Sequence, residues 1–330
     1  MMKTHNALRP CGTTRFIFAL LVIAVTVAFC TVSAQTQSSP ISTTRVDALR
    51  SQIRSATDRH ASAAELGTLW LRLGDEYLRR FELAQEEDAF TRSVALLRSS
   101  TDQQAYADSL DGLGSLYFET GRPAEAENCL RKALAIYEAL GDRRRIAALH
   151  ETIAMGLVFV HRFREGEAES FQAIQALEAE SQPDLVEMAA ALVTHSYALC
   201  FQGRCKAALE DADRAMALAQ RVLHSESTAI VAIWLARGFD LWKSGSVEEG
   251  GAAMREAIRI VNDRTDLPHP MLVNSQLKVL RQYDAYLKAT HQATHRKPEA
   301  ALIEAEIRQL QSEQIAVCDR CTIDAAALSH

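Results

Sequence analysis

Four columns of residues recur along the middle of this chain at a step of about 40 residues. The step is counted from Phe81, Gly121, His161, Gly203 and Gly245, so successive repeats are 40, 40, 42 and 42 residues apart. Seven positions before these anchors stand Gly74, Gly114, Ala154, Ser196 and Gly238, all small. Five positions after them stand Glu86, Ala126, Gly166, Ala208 and Gly250, small in four of five cases. Twelve positions after come Ser93, Ala133, Ala173, Ala215 and Ala257, followed at once by the apolar Val94, Leu134, Ile174, Met216 and Ile258. A chain that repeats in this way stacks similar units, each covering the apolar face of the last. Each unit reads as two antiparallel helices, one on either side of the anchor. Such helices approach closely only where their side chains are small, and the apolar column fills the layer beside the crossing. With 7 Pro and 14 Gly in 330 residues, turn residues are too few for an all-β alternative.

The flanks read differently. Lys3, Arg9 and Arg15 precede the uncharged run Phe16–Cys30, and Val32 and Ala34 stand at small-residue cleavage positions. This pattern predicts a signal peptide over 1–34, cut after Ala34, and hence a periplasmic or secreted protein. Left uncut, the segment would serve as an N-terminal anchor; the mature chain has no other membrane span in prospect. Residues 35–45 read as a Ser/Thr-rich linker. Val46, Leu49 and Ile53 then open a short amphipathic helix that precedes the five repeats, the whole covering 46–263. Residues 264–313 read as a degenerate capping hairpin, and 314–330 as an irregular tail. Acidic and basic residues are interspersed at a net charge of −6, or −9 once the three basic residues of the leader are gone. That balance argues against nucleic acid as a partner.

The stretch LGSLYFETGRPAEAENCLRKAL, residues 113–134, resembles the tetratricopeptide repeat. Leu113-Gly114, Tyr117, Gly121, Ala126 and Ala133 carry the likeness, and Leu73-Gly74 and Tyr77 repeat part of it. Later repeats keep the small columns but have Leu157, Leu199 and Leu241 in place of the tyrosine. The spacing exceeds the family's usual 34, and its closing proline is replaced by Arg98, Glu138, Glu178, Gln220 and Asn262. The resemblance implies an all-α, right-handed superhelical solenoid of helix hairpins that binds a protein or peptide in a concave groove lined by the first helix of each hairpin. Carried over residue by residue, that lining would be Thr68, Leu71, Asp75 and Arg79; then Asp108, Asp111, Ser115, Phe118 and Glu119; then Glu151, Met155, Val158 and Phe159; then Val193, Tyr197, Cys200 and Phe201; and last Leu235, Phe239, Trp242 and Lys243. The groove would run from an acidic end to an aromatic one, the aromatic end being an exposed anchor for the partner. Carboxylate tails, which some members grip through Lys and Asn, are disfavoured by Asp75 and Asp111.

Chemistry-bearing motifs are sparse. The chain has no P-loop, no dinucleotide fingerprint and no nucleophile elbow, and the sequence calls for neither enzymatic activity nor a cofactor. Cys200 and Cys205 flank the turn of the fourth hairpin, where a bridge would staple its two helices. Cys318 and Cys321 form a C-x-x-C pair, and His291 and His295 are four apart, which makes these four weak candidates for a metal or thiol module. A structural part in an envelope complex is the remaining alternative to a binding scaffold.

Overall fold

The computed structural model describes residues 43–80, 82–222, 228–264, 269–290 and 295–318. The expected signal peptide over 1–34, most of the expected linker, His291, Cys321 and the end of the tail lie outside these residues. The described chain forms thirteen α-helices and, among the described residues, no strand. Helix α1 (Thr43–Asp58) precedes five hairpins. These are α2 (Ala63–Arg80) with α3 (Leu83–Leu97), α4 (Gln103–Glu119) with α5 (Pro123–Leu140), α6 (Arg143–Phe159) with α7 (Phe163–Glu178), α8 (Leu185–Phe201) with α9 (Cys205–Val222), and α10 (Thr228–Ser244) with α11 (Val247–Asn262). A last pair, α12 (His269–Ala289) and α13 (Lys297–Cys318), completes the array.

Local chemistry sets the helix boundaries at matching places in each unit. Asp102, Asp142 and Asp184 cap α4, α6 and α8, each accepting a backbone N–H of the first turn. Pro123 occupies the first turn of α5, where its missing N–H leaves no bond unmade. The anchors Gly121, His161, Gly203 and Gly245 all have positive φ, from 65° to 107°. The chain reverses through the left-handed region at each of these turns, and His161 does so without glycine's freedom.

The small columns are the hairpin crossings. A Cβ placed on Gly114 would lie 2.6 Å from Leu130 Cγ. On Gly250 it would lie 2.7 Å from the carbonyl oxygen of Gly238 and 2.8 Å from the backbone N of Trp242. Leu130, Ala126, Ala133, Ala208, Ala215 and Ala257 are fully enclosed beside these crossings. First helices of successive hairpins also pack on one another, which places α2, α4, α6, α8, α10 and α12 along the inner side of the stack. On the outer side, Arg122 reaches back to Glu87, Arg162 to Glu127 and Arg204 to Glu167, so each arginine at the start of a second helix ties its hairpin to the preceding one.

Two boundaries differ from the sequence expectation. Helix α1 begins at Thr43, three residues inside the expected linker, because Val46 is buried and fixes the first turn. Helix α13 runs to Cys318, so residues 314–318 of the expected irregular tail are helical. No Gly or Pro follows Pro298 within it to stop the helix. Among the described residues no helix is long and apolar enough to cross a membrane.

The Gly250 crossing is set by backbone atoms that cannot rotate away. Gly250→Ala should therefore cost roughly 1–3 kcal/mol through overpacking, although alanine is about 1 kcal/mol the better helix former. A denaturant midpoint equal to or above that of the parent chain would show the crossing to be looser than described.

Candidate functional site

The acidic residues expected in the groove stand together on the inner helices of the first three hairpins. Asp75 on α2 and Asp111 on α4 are recessed. Burial pushes each carboxyl up to about 6, against the partial opposition of Arg79 at Asp75 and of Arg145 at Asp111. Glu151 on α6 is pushed up to about 7 by burial, although the Thr194 hydroxyl donates to it at 2.9 Å. Glu119, at the end of α4, is also raised to about 7 by burial, and its Oε2 is buried without a hydrogen-bond partner. Arg145 is the main basic group here, pairing with Asp108 at 3.1 Å, while Asp108 accepts the Tyr137 hydroxyl. The charge balance of this end remains acidic.

The aromatic end does not form an exposed anchor. Phe118, Met155, Tyr197 and Phe239 are buried, and Phe159, Phe201 and Trp242 are half-buried. Phe118 fills the space that a side chain on Gly156 would need, so it packs between the second and third hairpins. Farther along, the rings form one seam: Tyr197 to Phe201 at 6.2 Å, Phe201 to Phe239 at 4.8 Å, Phe239 to Trp242 at 5.9 Å, and Trp242 to Tyr286 at 5.7 Å. Tyr286 belongs to α12, and its hydroxyl donates to Val247 O at 2.9 Å. Helix α12 thus closes onto the seam at Trp242, and the rest of the seam is buried by the rings of neighbouring inner helices. Lys243 is exposed, with its ammonium 4.2 Å from the Trp242 ring centre.

The cysteine expectations divide. Cys200 and Cys205 are joined by a disulfide across the turn of the fourth hairpin. Cys129 is a free thiol. Of the metal candidates, His295 is exposed ahead of α13 and Cys318 ends that helix, while His291 and Cys321 lie outside the described residues. Among the described residues no three His, Cys, Asp or Glu side chains are arranged to hold a metal.

Three polar residues of this region were not among those expected. Glu86 on α3 is 1 % exposed, with its Oε2 unpartnered. It occupies the small-residue column, where the other hairpins have Ala or Gly, so the exception itself was the signal. Lys278 and Gln282 on α12 are buried one turn apart on the same helix face. Their i, i+4 spacing was readable, but their environment depends on where α12 docks.

Raised carboxyls make a definite statement about stability. From about pH 4 up to their raised values, about 6 for Asp75 and Asp111 and about 7 for Glu151, these carboxyls hold protons in the folded chain that the unfolded chain has released. Their burial therefore destabilises the fold as pH rises through that window. The melting temperature should be higher near pH 5.5 than near pH 7.5 by on the order of a few degrees, and Asp111→Asn with Glu151→Gln should shrink the difference. A profile unchanged in the double variant would place the pH dependence elsewhere.

Residues 52–139 match the model of the tetratricopeptide repeat family. No curated protein sequence matches the chain. Several solved structures share its fold. The apo form of RapI aligns with a TM-score of 0.62 at 12 % identity, covering 91 % of this chain and 98 % of that one. A Rap protein complexed with competence and sporulation factor aligns at 0.55 and 14 % identity, over 77 % of each chain. Aspartyl phosphate phosphatase F from Bacillus subtilis aligns at 0.52 and 10 % identity, over 97 % of this chain and 96 % of that one. The fold is thus an all-α helical-repeat solenoid, and its residues 52–139 are similar to the tetratricopeptide repeat family.

Proposed function

We propose that this chain is an exported scaffold, a long-repeat variant of the tetratricopeptide type, that binds a protein or peptide on its inner face. The partner segment it takes is basic. The observation that carries this reading is the set of recessed carboxylates at Asp75, Asp111, Glu119 and Glu151, all on inner helices and outnumbering the arginines among them. Near pH 7 these groups lie within reach of ionisation, and an approaching lysine or arginine would draw them into the charged form. With Phe118, Tyr197 and Phe239 buried, affinity would come from charge-assisted hydrogen bonds more than from apolar anchors. The fold neighbours, one of them solved with a bound factor, make such a use of the inner face reasonable by analogy. The leader-like N-terminus and the Cys200–Cys205 bridge support an oxidising, exported setting.

A random peptide array probed with the purified chain tests this. Bound peptides should be enriched in Lys and Arg. Binding should weaken as salt rises, and it should fall about tenfold or more in the Asp111→Asn, Glu151→Gln variant. Retention without charge bias, or equal binding by the variant, would dismiss the acidic face as the site.

A further inference from the structure

In each hairpin the residue two places before the turn anchor lies at the end of the inner helix. Across the five hairpins this position reads Arg79, Glu119, Phe159, Phe201 and Lys243. Its two cations differ in their pairing. Arg79 bonds Glu76 of its own helix at 2.7 Å. Asp240 stands at the place of Glu76 in the fifth hairpin, three residues before Lys243, but it is fully enclosed, with both oxygens buried and without a hydrogen-bond partner. Burial raises that carboxyl well above its ordinary range, so it does not supply the missing charge. Lys243 is exposed and makes no ion pair among the described residues.

The surroundings of Lys243 are aromatic. Its ammonium stands 4.2 Å from the Trp242 ring centre and 5.7 Å from that of Phe239. Phe239 in turn lies 4.8 Å from Phe201 of α8. Phe201 and Trp242 are half-buried, which leaves part of each ring at the surface near this ammonium. The rings attract the cation through their faces but accept none of its three N–H donors in ordinary hydrogen bonds. Burial beside them lowers the ammonium, and no carboxylate acts on it in return. A carboxylate brought by a partner would meet an unmatched cation on a partly desolvated shelf, where a charge-assisted bond is stronger than in open water.

Spacing defines the rest of the partner. Phe239 is near both the ammonium and the Phe201 ring, so two or three extended residues, at about 3.3–3.6 Å each, bridge them. Residues two apart in an extended segment point the same way. Toward the first hairpins, α6, α8 and α10 pack as successive inner helices. At about 10 Å per step, α6 with Glu151 lies about six extended residues from Lys243.

We propose that Lys243 determines the specificity of the inner face by pairing with an Asp or Glu of the bound segment, two positions from an apolar residue that rests on Phe201 and about six from the basic residues. The inference rests on the reading of the inner face as a site for basic segments and adds an acidic end to them. The segment is thereby oriented, its acidic end on the fifth hairpin and its basic end toward the third.

The probes are fluorescent, end-blocked heptapeptides, Lys-Arg-Lys-Ala-Leu-Ala-Glu and the same sequence ending in Gln, read by anisotropy on the full chain. Each is made in both chain directions, and the tighter direction is scored. End-blocking removes terminal carboxylates from the comparison. The parent should bind the Glu probe about fivefold more tightly than the Gln probe. An acidic face alone would favour the Gln probe, which carries the greater positive charge, so the sign of the difference is diagnostic. Lys243→Met keeps the stem beside Trp242 and should lose the preference for Glu, while Lys243→Arg should keep it, which separates loss of charge from loss of fold. Equal binding of the two probes by the parent, or a preference that survives in Lys243→Met, would overturn the role of Lys243. If that equal binding falls in Asp111→Asn, Glu151→Gln, the basic-segment reading stands without it. Absence of binding of either probe by the parent would overturn both.

Discussion

Everything in this structure depends on how closely two antiparallel helices can approach. Gly114 against Leu130, and Gly250 against the backbone of Gly238 and Trp242, set a contact distance that no larger side chain permits. That distance fixes the geometry of the hairpin, and the hairpin fixes which face the next unit must cover. The caps at Asp102, Asp142 and Asp184 and the left-handed anchors then place each hairpin in the same register. From the second hairpin to the fourth, local chemistry and long-range packing agree, which favours a single fold.

The same repetition explains how much could be read from sequence. The columns at Gly74, Gly114 and Gly238 mark the crossings because a small residue has a geometric cause wherever it recurs. The acidic positions Asp75, Asp111 and Glu119 were named as well, as part of the groove lining that the resemblance implied. Burial of Tyr197, Phe201 and Phe239 was not. Whether an aromatic ring on an inner helix meets solvent or protein depends on the rings of neighbouring inner helices and, at Trp242, on α12, which folds back from beyond the repeats. Helix phase says nothing about those contacts. Glu86 lies between these cases: its column was visible, but not the enclosure that leaves its Oε2 unpartnered.

The inner face consequently has two chemistries along its length. Toward the start, recessed carboxyls sit in a deficit of positive charge. Toward the end, the rings of Tyr197, Phe201 and Phe239 pack on one another and Trp242 closes onto Tyr286. Helix α12 contributes Tyr286 to the seam and buries a polar stripe of Asn274, Lys278 and Gln282. Its apolar contacts hold it in place strongly, while its polar stripe is held by few hydrogen bonds.

The outer arginine ladder has a mechanical meaning. Arg122, Arg162 and Arg204 bridge the first four hairpins, but Ser246 stands at the equivalent place in the fifth, and Leu209 replaces the acid it would need. Ion pairs near the surface tolerate sliding and weaken with salt; interlocked rings do neither. The fifth hairpin is tied to the fourth by Arg237 with Asp213 and by the rings of Phe201 and Phe239 instead. Rising salt therefore loosens the outer fastenings of the first four hairpins and leaves the ring contact between the fourth and fifth in place.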